Sequence, residues 1–291
     1  MITIVLIASP LKRNLEASLV DSLRNAWGGG AVQWLSPDEA AEFEVDELPS
    51  NVWSIWQDLQ NAGVDLVPLA STNRKKSVLL ADMDSTMIRE ECIDELAAEA
   101  GVGERVADIT RRAMNGEIDF EGALKERVGL LKGQKITLID TVLQSRISLA
   151  SGGKTLLATM RANGGYAALV SGGFTAFTAK IADSLGFHEH RANTLIEKDG
   201  VLTGEVGSPI LGRDAKVTAL SEITNAHNLT PASAIAVGDG ANDLGMLNAA
   251  GIGVALHAKP AVAAEVDARI NHGDLTSLLF LQGYTKDEFA E

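Results

Sequence analysis

Four short apolar runs, 77–81, 166–170, 234–237 and 252–256, constrain this chain more than any other feature. Each is nearly continuous in hydrophobicity, as expected of strands buried on both faces of a parallel sheet. Helical periodicity follows them, so the order predicts alternating strands and helices in an α/β core. Ligands of such sheets bind beyond the carboxyl ends of the strands. The first three runs end in Asp82-Met-Asp84, Ser171-Gly-Gly173 and Gly238-Asp-Gly-Ala-Asn-Asp243, so polar residues gather along one edge.

The segments around these runs divide the chain further. Between Glu90 and about Ser151 there is no comparable strand, and 91–101, 104–114, 120–131 and 136–147 read as four amphipathic helices. An all-helical insert directly after the first acidic strand end predicts a cap. Residues 193–206 carry Asp199-Gly200 between alternating residues and predict a β-hairpin. Ser71-Thr-Asn-Arg-Lys-Lys76 is polar and basic, of linker type. Before it, strand 2–8, helix 14–26, the glycines 28–30, strands 31–35 and 42–47, helix 51–62 and strand 64–69 make a βαββαβ order. That is the ferredoxin-like pattern, an α+β unit.

Composition narrows the function classes. With 25 basic against 39 acidic residues and a net charge of -14, the chain lacks the basic face of a nucleic-acid binder. It has no apolar run near the ~18 residues of a membrane span, and 2–8 is too short for a signal h-region. Cys92 is the single cysteine, which excludes an intrachain disulfide and suits a reducing cytoplasm. No internal repeat or low-complexity segment is visible.

The chemistry starts from Asp82 and Asp84. Alone, the pair equally reads as two turn acceptors. Asp239 and Asp243, after another buried strand, bring further carboxylates to the same edge, and these would repel without a cation. Oxygen-only ligands suit Mg²⁺, which is held by a few carboxylates, waters and substrate phosphate. Ser171 offers a hydroxyl, and Gly172 and Gly173 let backbone N–H groups approach an anion. Lys216 could bring a fixed positive charge to a phosphoryl group and a carboxylate nucleophile. Singly, Lys216 reads as a surface lysine and Ser171 as a turn residue; the order DxD, SGG, Lys, GDxxND carries the argument.

That ordered set resembles the haloacid dehalogenase (HAD) superfamily of phosphotransferases. Asp82-Met-Asp-Ser-Thr86, Glu91, Arg127-Val-Gly-Leu-Leu-Lys-Gly133, Val170-Ser-Gly-Gly-Phe174 and Val237-Gly-Asp-Gly-Ala-Asn-Asp243 look like its phosphoserine phosphatase branch. The resemblance implies a Rossmann-like parallel-sheet core, 73–291, with a helical cap at about 90–150. It also implies an ACT-like N-terminal domain, 1–72. By the same resemblance Asp82 is the nucleophile and forms an aspartyl phosphate, and Asp84 is the general acid and base. Mg²⁺ would be held by Asp82, the Asp84 carbonyl and Asp239, with Asp243 in support. Ser171, Gly172 and Lys216 would bind the phosphoryl oxygens, and Asn242 would orient phosphate or substrate. Glu91 would meet the substrate ammonium and Arg127 its carboxylate, while Met114 and Phe120 match apolar cap positions that close over the site. The implied activity is the last step of serine biosynthesis, O-phospho-L-serine to L-serine and phosphate.

Ala8-Ser-Pro-Leu-Lys-Arg-Asn14 lacks the glycine-rich turn of an amino-acid-binding ACT loop, so assembly (a homodimer) or simple packing stands beside ligand binding as this domain's role. Gly238 to Asp243 only partly mimics a dinucleotide fingerprint, and Asp239 would repel a pyrophosphate. His188 and His190 read as the edge or solvent face of a strand, and Cys92 as a small buried residue. Two alternatives stay open: a related phosphotransferase using an acceptor such as homoserine, or a phosphatase for another small phosphomonoester; and a non-enzymatic receiver phosphorylated on Asp82. The cap and Asp84 count against the receiver.

Overall fold

The first 70 residues form a small antiparallel sheet with two helices. In the computed structural model, which describes residues 1–114 and 117–291, this part runs β1 (Ile2–Ala8), α1 (Ala17–Ala26), β2 (Gln33–Ser36), β3 (Ala40–Val45), α2 (Val52–Ala62) and β4 (Val64–Ala70). The strand order is β2-β3-β1-β4, with β3 and β4 both antiparallel to β1, as in ferredoxin-like folds. On one face of β1, Ile4, Leu6 and Ala8 pack with Val20 and Leu23 of α1 and Val52 and Leu59 of α2. Gly63 takes a left-handed φ of 75°, which lets α2 stop and β4 start one residue later.

The rest of the chain alternates as its pattern predicts. It runs β5 (Val78–Ala81), α3 (Cys92–Glu99), α4 (Gly103–Met114), α5 (Phe120–Gly129), α6 (Thr137–Ser145), α7 (Gly153–Ala162), β6 (Tyr166–Phe174), α8 (Thr175–Leu185) and β7 (Glu189–Asn193). Then come β8 (Leu195–Lys198), β9 (Val201–Val206), α9 (Arg213–Ala226), β10 (Ala234–Gly238), α10 (Leu244–Ala249), β11 (Ile252–Leu256), α11 (Pro260–Ala263), β12 (Ala268–Ile270) and α12 (Ser277–Leu281). A six-stranded sheet has the order β12-β11-β10-β5-β6-β7, and β10–β11, β11–β12 and β6–β7 pair in parallel. Every residue of β5 and β10 is buried, which explains their unbroken hydrophobicity.

Two compact units can be distinguished: 1–80 with 151–167 and 220–291, and 81–150 with 168–219. In the first, α12 packs on β1, so Val5 and Ile7 are as buried as Ile4 and Leu6. That second cover is why β1 reads ITIVLIA, without the alternation usual in an antiparallel strand. The basic stretch before β5 is tied down. Arg74 donates to both Glu42 oxygens at 3.1 and 2.6 Å and to the Phe280 and Leu281 carbonyls, and the Lys76 N–H donates to Gln282 Oε1.

The second unit holds α3 to α6 as the predicted all-helical insert. Asp119 caps α5 by accepting the Gly122 N–H at 2.7 Å. The segments entering and leaving the insert meet in an isolated Ile88–Leu149 bridge, and Glu90 accepts from both the N–H and the hydroxyl of Ser148. β8 and β9 form the predicted hairpin. Asp199 and Gly200 both have positive φ, 53° and 79°, as a type I′ turn requires.

Candidate active site

Asp82 follows β5 directly and is 5% exposed. Its Oδ1 accepts from Lys216 Nζ at 2.6 Å, and Lys216, on the first turns of α9, is itself 2% exposed. A buried, hydrogen-bonded charge pair is tolerated because each member offsets the desolvation of the other. The isolated reading of Lys216 as a surface lysine does not apply.

Asp84 lies two residues on. Its Oδ1 accepts the Cys92 N–H at 2.8 Å, and its Oδ2 accepts the Ser171 hydroxyl at 3.2 Å. Burial pushes the Asp84 carboxyl above its usual range, against the pull of those donors and of the Lys216 charge. A carboxyl whose neutral form burial favours, two residues from a second carboxylate, has the chemistry to carry a proton. The Cys92 thiol is pushed far up by burial and by Asp84, so it is a filler of apolar space and no nucleophile.

The Ser171-Gly-Gly173 stretch belongs to β6 and sits at a register shift. Val170 pairs with Arg191 and Phe174 with Asn193, so extra residues bulge from the ladder here. A Cβ at Gly173 would stand 2.7 Å from Asp84 Oδ2, so only glycine fits the approach. The Phe120 ring would touch a Cβ at Gly172 at 3.4 Å and one at Gly212 at 3.5 Å, which places this cap residue against the bulge. Met114, at the end of α4, is exposed.

Glu91 is exposed at the start of α3, with Oε1 accepting from the Ser85 hydroxyl at 2.7 Å. Arg127 is half-buried on α5, and its Nε donates to the Ala123 carbonyl at 3.3 Å. Burial lowers its pKa, opposed by the charges of Asp94, Glu91 and Asp84. Those three carboxylates therefore share an electrostatic environment with the guanidinium. Asp94 was not singled out from sequence, although it lies three residues beyond Glu91, on the same side of a helix.

After β10, Asp243 is fully buried and its Oδ2 accepts the Gly240 N–H at 3.0 Å. A Cβ on Gly238 would collide with Asp243 Cγ at 2.4 Å, which fixes that glycine. Asn242 and Asp239 are half-buried in the same loop. One oxygen from each of Asp82, Asp239 and Asp243 lies within 4.8 Å of the others, a group suited to holding a metal ion. Its donors are all carboxylate oxygens, with no sulfur or imidazole, and such a set fits a hard divalent cation.

The sequence profile of haloacid dehalogenase-like hydrolases matches residues 79–248, more than half of the chain. The chain belongs to that family. Among its relatives, a phosphoserine phosphatase of Lactococcus lactis subsp. lactis is 45% identical over 204 residues, covering 70% of this chain and 94% of that protein. A phosphoserine phosphatase of Archaeoglobus fulgidus is 40% identical over 224 residues, covering 76% of this chain; the match spans 65% of that protein's length, just under two thirds. Among solved structures, a HAD family hydrolase from Salmonella enterica subsp. enterica serovar Typhi superposes with a TM-score of 0.86 at 29% identity, covering 99% of this chain and 100% of that one.

Proposed function

We propose that this chain is a Mg²⁺-dependent phosphoserine phosphatase that works through an aspartyl phosphate on Asp82. The observation that carries this is the pairing of a buried Asp82, held by Lys216 at 2.6 Å, with a second carboxyl two residues away whose protonation burial favours. The names borne by the curated relatives point to the same substrate.

Lys216 pairs its charge with the Asp82 carboxylate through Oδ1, and that carboxylate attacks phosphorus. As the Asp82–phosphorus bond forms, the bond from phosphorus to the serine oxygen breaks and Asp84 gives that oxygen its proton. Asp84, now ionised, takes a proton from the water that attacks the aspartyl phosphate, releasing phosphate and restoring Asp82. Ser171, the Gly172 backbone and Lys216 bind the phosphoryl oxygens, and Asn242 orients the group. Asp82, the Asp84 carbonyl and Asp239 would hold Mg²⁺, with Asp243 in support; both Asp84 side-chain oxygens already accept protein hydrogen bonds. Bound there, the ion supplies charge neutralisation for the phosphoryl group.

Glu91 takes the substrate ammonium and Arg127 its carboxylate, a pairing that selects an α-amino acid. Phe120, with Met114, supplies the apolar closure. We assign 1–72 to an ACT-like domain and 73–291 to the catalytic core with a cap at about 90–150. A cytoplasmic setting and a homodimer through the N-terminal domain complete the proposal. Among the described residues no helix is long and apolar enough to cross a membrane.

The test is phosphate release from a panel of phosphomonoesters, with and without Mg²⁺ and with homoserine as a competing acceptor. Phosphoserine should lead the panel and require the metal. Transfer to homoserine in place of water would make the protein a phosphotransferase, and full activity after metal stripping would remove the site assignment.

A further inference from the structure

Asn193, the last residue of β7, is 1% exposed, and nothing in the sequence marks it for chemistry. Both ends of its amide are nevertheless engaged. Nδ2 donates to the Gly172 carbonyl at 2.8 Å and to the Leu211 carbonyl at 3.2 Å, while Oδ1 accepts the Leu211 N–H at 2.7 Å. The Leu211 pair fixes which end is oxygen and which nitrogen, because one partner is a donor and the other an acceptor. The donating end is thereby turned toward Gly172.

That contact continues inward. The Gly172–Gly173 peptide is held at both ends, its carbonyl by Asn193 and its N–H by Ser171 Oγ at 2.8 Å. Ser171 Oγ, having accepted one hydrogen, gives its own to Asp84 Oδ2 at 3.2 Å. A hydrogen-bond chain therefore runs from Asn193 through one peptide plane and one hydroxyl to Asp84. The peptide lies where the β6–β7 register shifts between Val170 and Phe174, and both of its residues are glycines, which have no side chain to fix the backbone.

We propose that Asn193 is a positioning residue that locks the Gly172–Gly173 peptide, and through it the Ser171 hydroxyl, so that this one proton serves either Asp84 or an incoming phosphoryl oxygen; the proposal rests on the phosphatase assignment above. Asn193→Asp is the sharp probe. It keeps the shape and the acceptor for the Leu211 N–H but turns an oxygen toward the Gly172 carbonyl, where a donor is needed.

The experiment compares the full chain with Asn193→Asp, Asn193→Ala, Ser171→Ala and the Ser171→Ala/Asn193→Asp double variant. It follows kcat and KM for phosphoserine, the dissociation constant of inorganic phosphate, and the unfolding midpoint. Asn193→Asp should lower kcat/KM on the order of tenfold or more, the scale of an unsatisfied buried polar group, and weaken phosphate binding, while folding cooperatively. In the Ser171→Ala background the same change should cost far less, because its target is already gone. Additive losses, an unchanged kcat/KM, or failure of both Asn193 variants to fold would overturn the proposal and leave Asn193 a structural residue. An inactive parent chain would instead remove the phosphatase assignment itself, so the two failures are distinguishable.

Discussion

Asp65 and Asp82 are both taken almost entirely out of water, at 0% and 5% exposure, yet they are kept there by different means. Asp65, in β4, receives three backbone N–H groups, from Asn271 at 2.8 Å, His272 at 3.0 Å and Gly273 at 2.8 Å. Those donors belong to one loop and cannot turn aside, so both oxygens are committed to holding it. Asp82 Oδ1 instead accepts from a side-chain cation, Lys216. Asp84 sits between these cases, with one backbone donor and one hydroxyl. Burial pushes both Asp65 and Asp84 above the usual carboxylate range, so burial alone does not separate a structural carboxylate from a reactive one. The kind of donor does: fixed backbone amides hold a loop in place, whereas a lysine and a serine can shift their contacts as charge moves.

The strongest way to break this contrast is to neutralise Asp82. Asp82→Asn removes the nucleophile and should abolish turnover, with the unfolding transition still cooperative, because the residue stands at a strand end. Near-normal turnover would mean that water attacks phosphorus directly. Chelation should be equally complete: on the proposed mechanism EDTA should remove activity and Mg²⁺ restore it, since Asp82, Asp239 and Asp243 form a group suited to holding a metal ion. Asp84→Asn should leave phosphoserine binding but remove proton transfer, a loss of roughly 10²–10⁴-fold in kcat. Single-turnover kinetics would show whether formation or hydrolysis of the phosphoenzyme carries that loss.

How much of this could be read beforehand follows from the same distinction. The strand ends were legible because two-sided burial leaves unbroken apolar runs, and the acidic residues stop them abruptly. The four cap helices were legible from amphipathic spacing, and the hairpin from Asp199-Gly200. Lys216 was ambiguous, since a lysine on a helix carries no mark of the carboxylate it meets 134 positions away. Ser171-Gly-Gly173 read as a strand end, whereas pairing resumes at Phe174 and makes it a bulge. Asn193 and Asp65 were silent, because their meaning lies in backbone groups supplied by distant loops. β3 starts at Ala40, where 42 was expected, because two alanines with weak strand preference are carried by their pairing with Leu6 and Ile7.

Substrate recognition should give smaller and more selective effects. Arg127→Ala should cost about 2–5 kcal/mol in kcat/KM for phosphoserine, the range for breaking a desolvated charge pair. The cost should be much less for phosphoethanolamine, which has no carboxylate. Glu91 is more exposed, so Glu91→Gln should cost less, and it should spare phospholactate, which has no ammonium. Equal losses on every substrate would reduce both residues to cap supports and withdraw phosphoserine while keeping a phosphatase.

The smallest kinetic effect, and the sharpest test of the contrast, belongs to Asp65→Asn. The asparagine is nearly isosteric, but it has one acceptor oxygen for three converging N–H groups. If that oxygen stands where Oδ2 stood, it keeps His272 and Gly273, and the new NH₂ confronts the Asn271 N–H. In the reverse orientation two donors are lost instead of one. Either way a buried donor goes without a partner, worth about 1–3 kcal/mol of unfolding free energy. Denaturant unfolding should show that loss as a lower midpoint with an unchanged slope. The folded variant should keep the kcat/KM of the parent for phosphoserine and the same Mg²⁺ requirement, since Asp65 has no part in proton or phosphoryl transfer. A kinetic loss approaching that of Asp84→Asn would mean that the loop at 271–273 reaches the chemistry, and the division between the two kinds of buried carboxylate would fail.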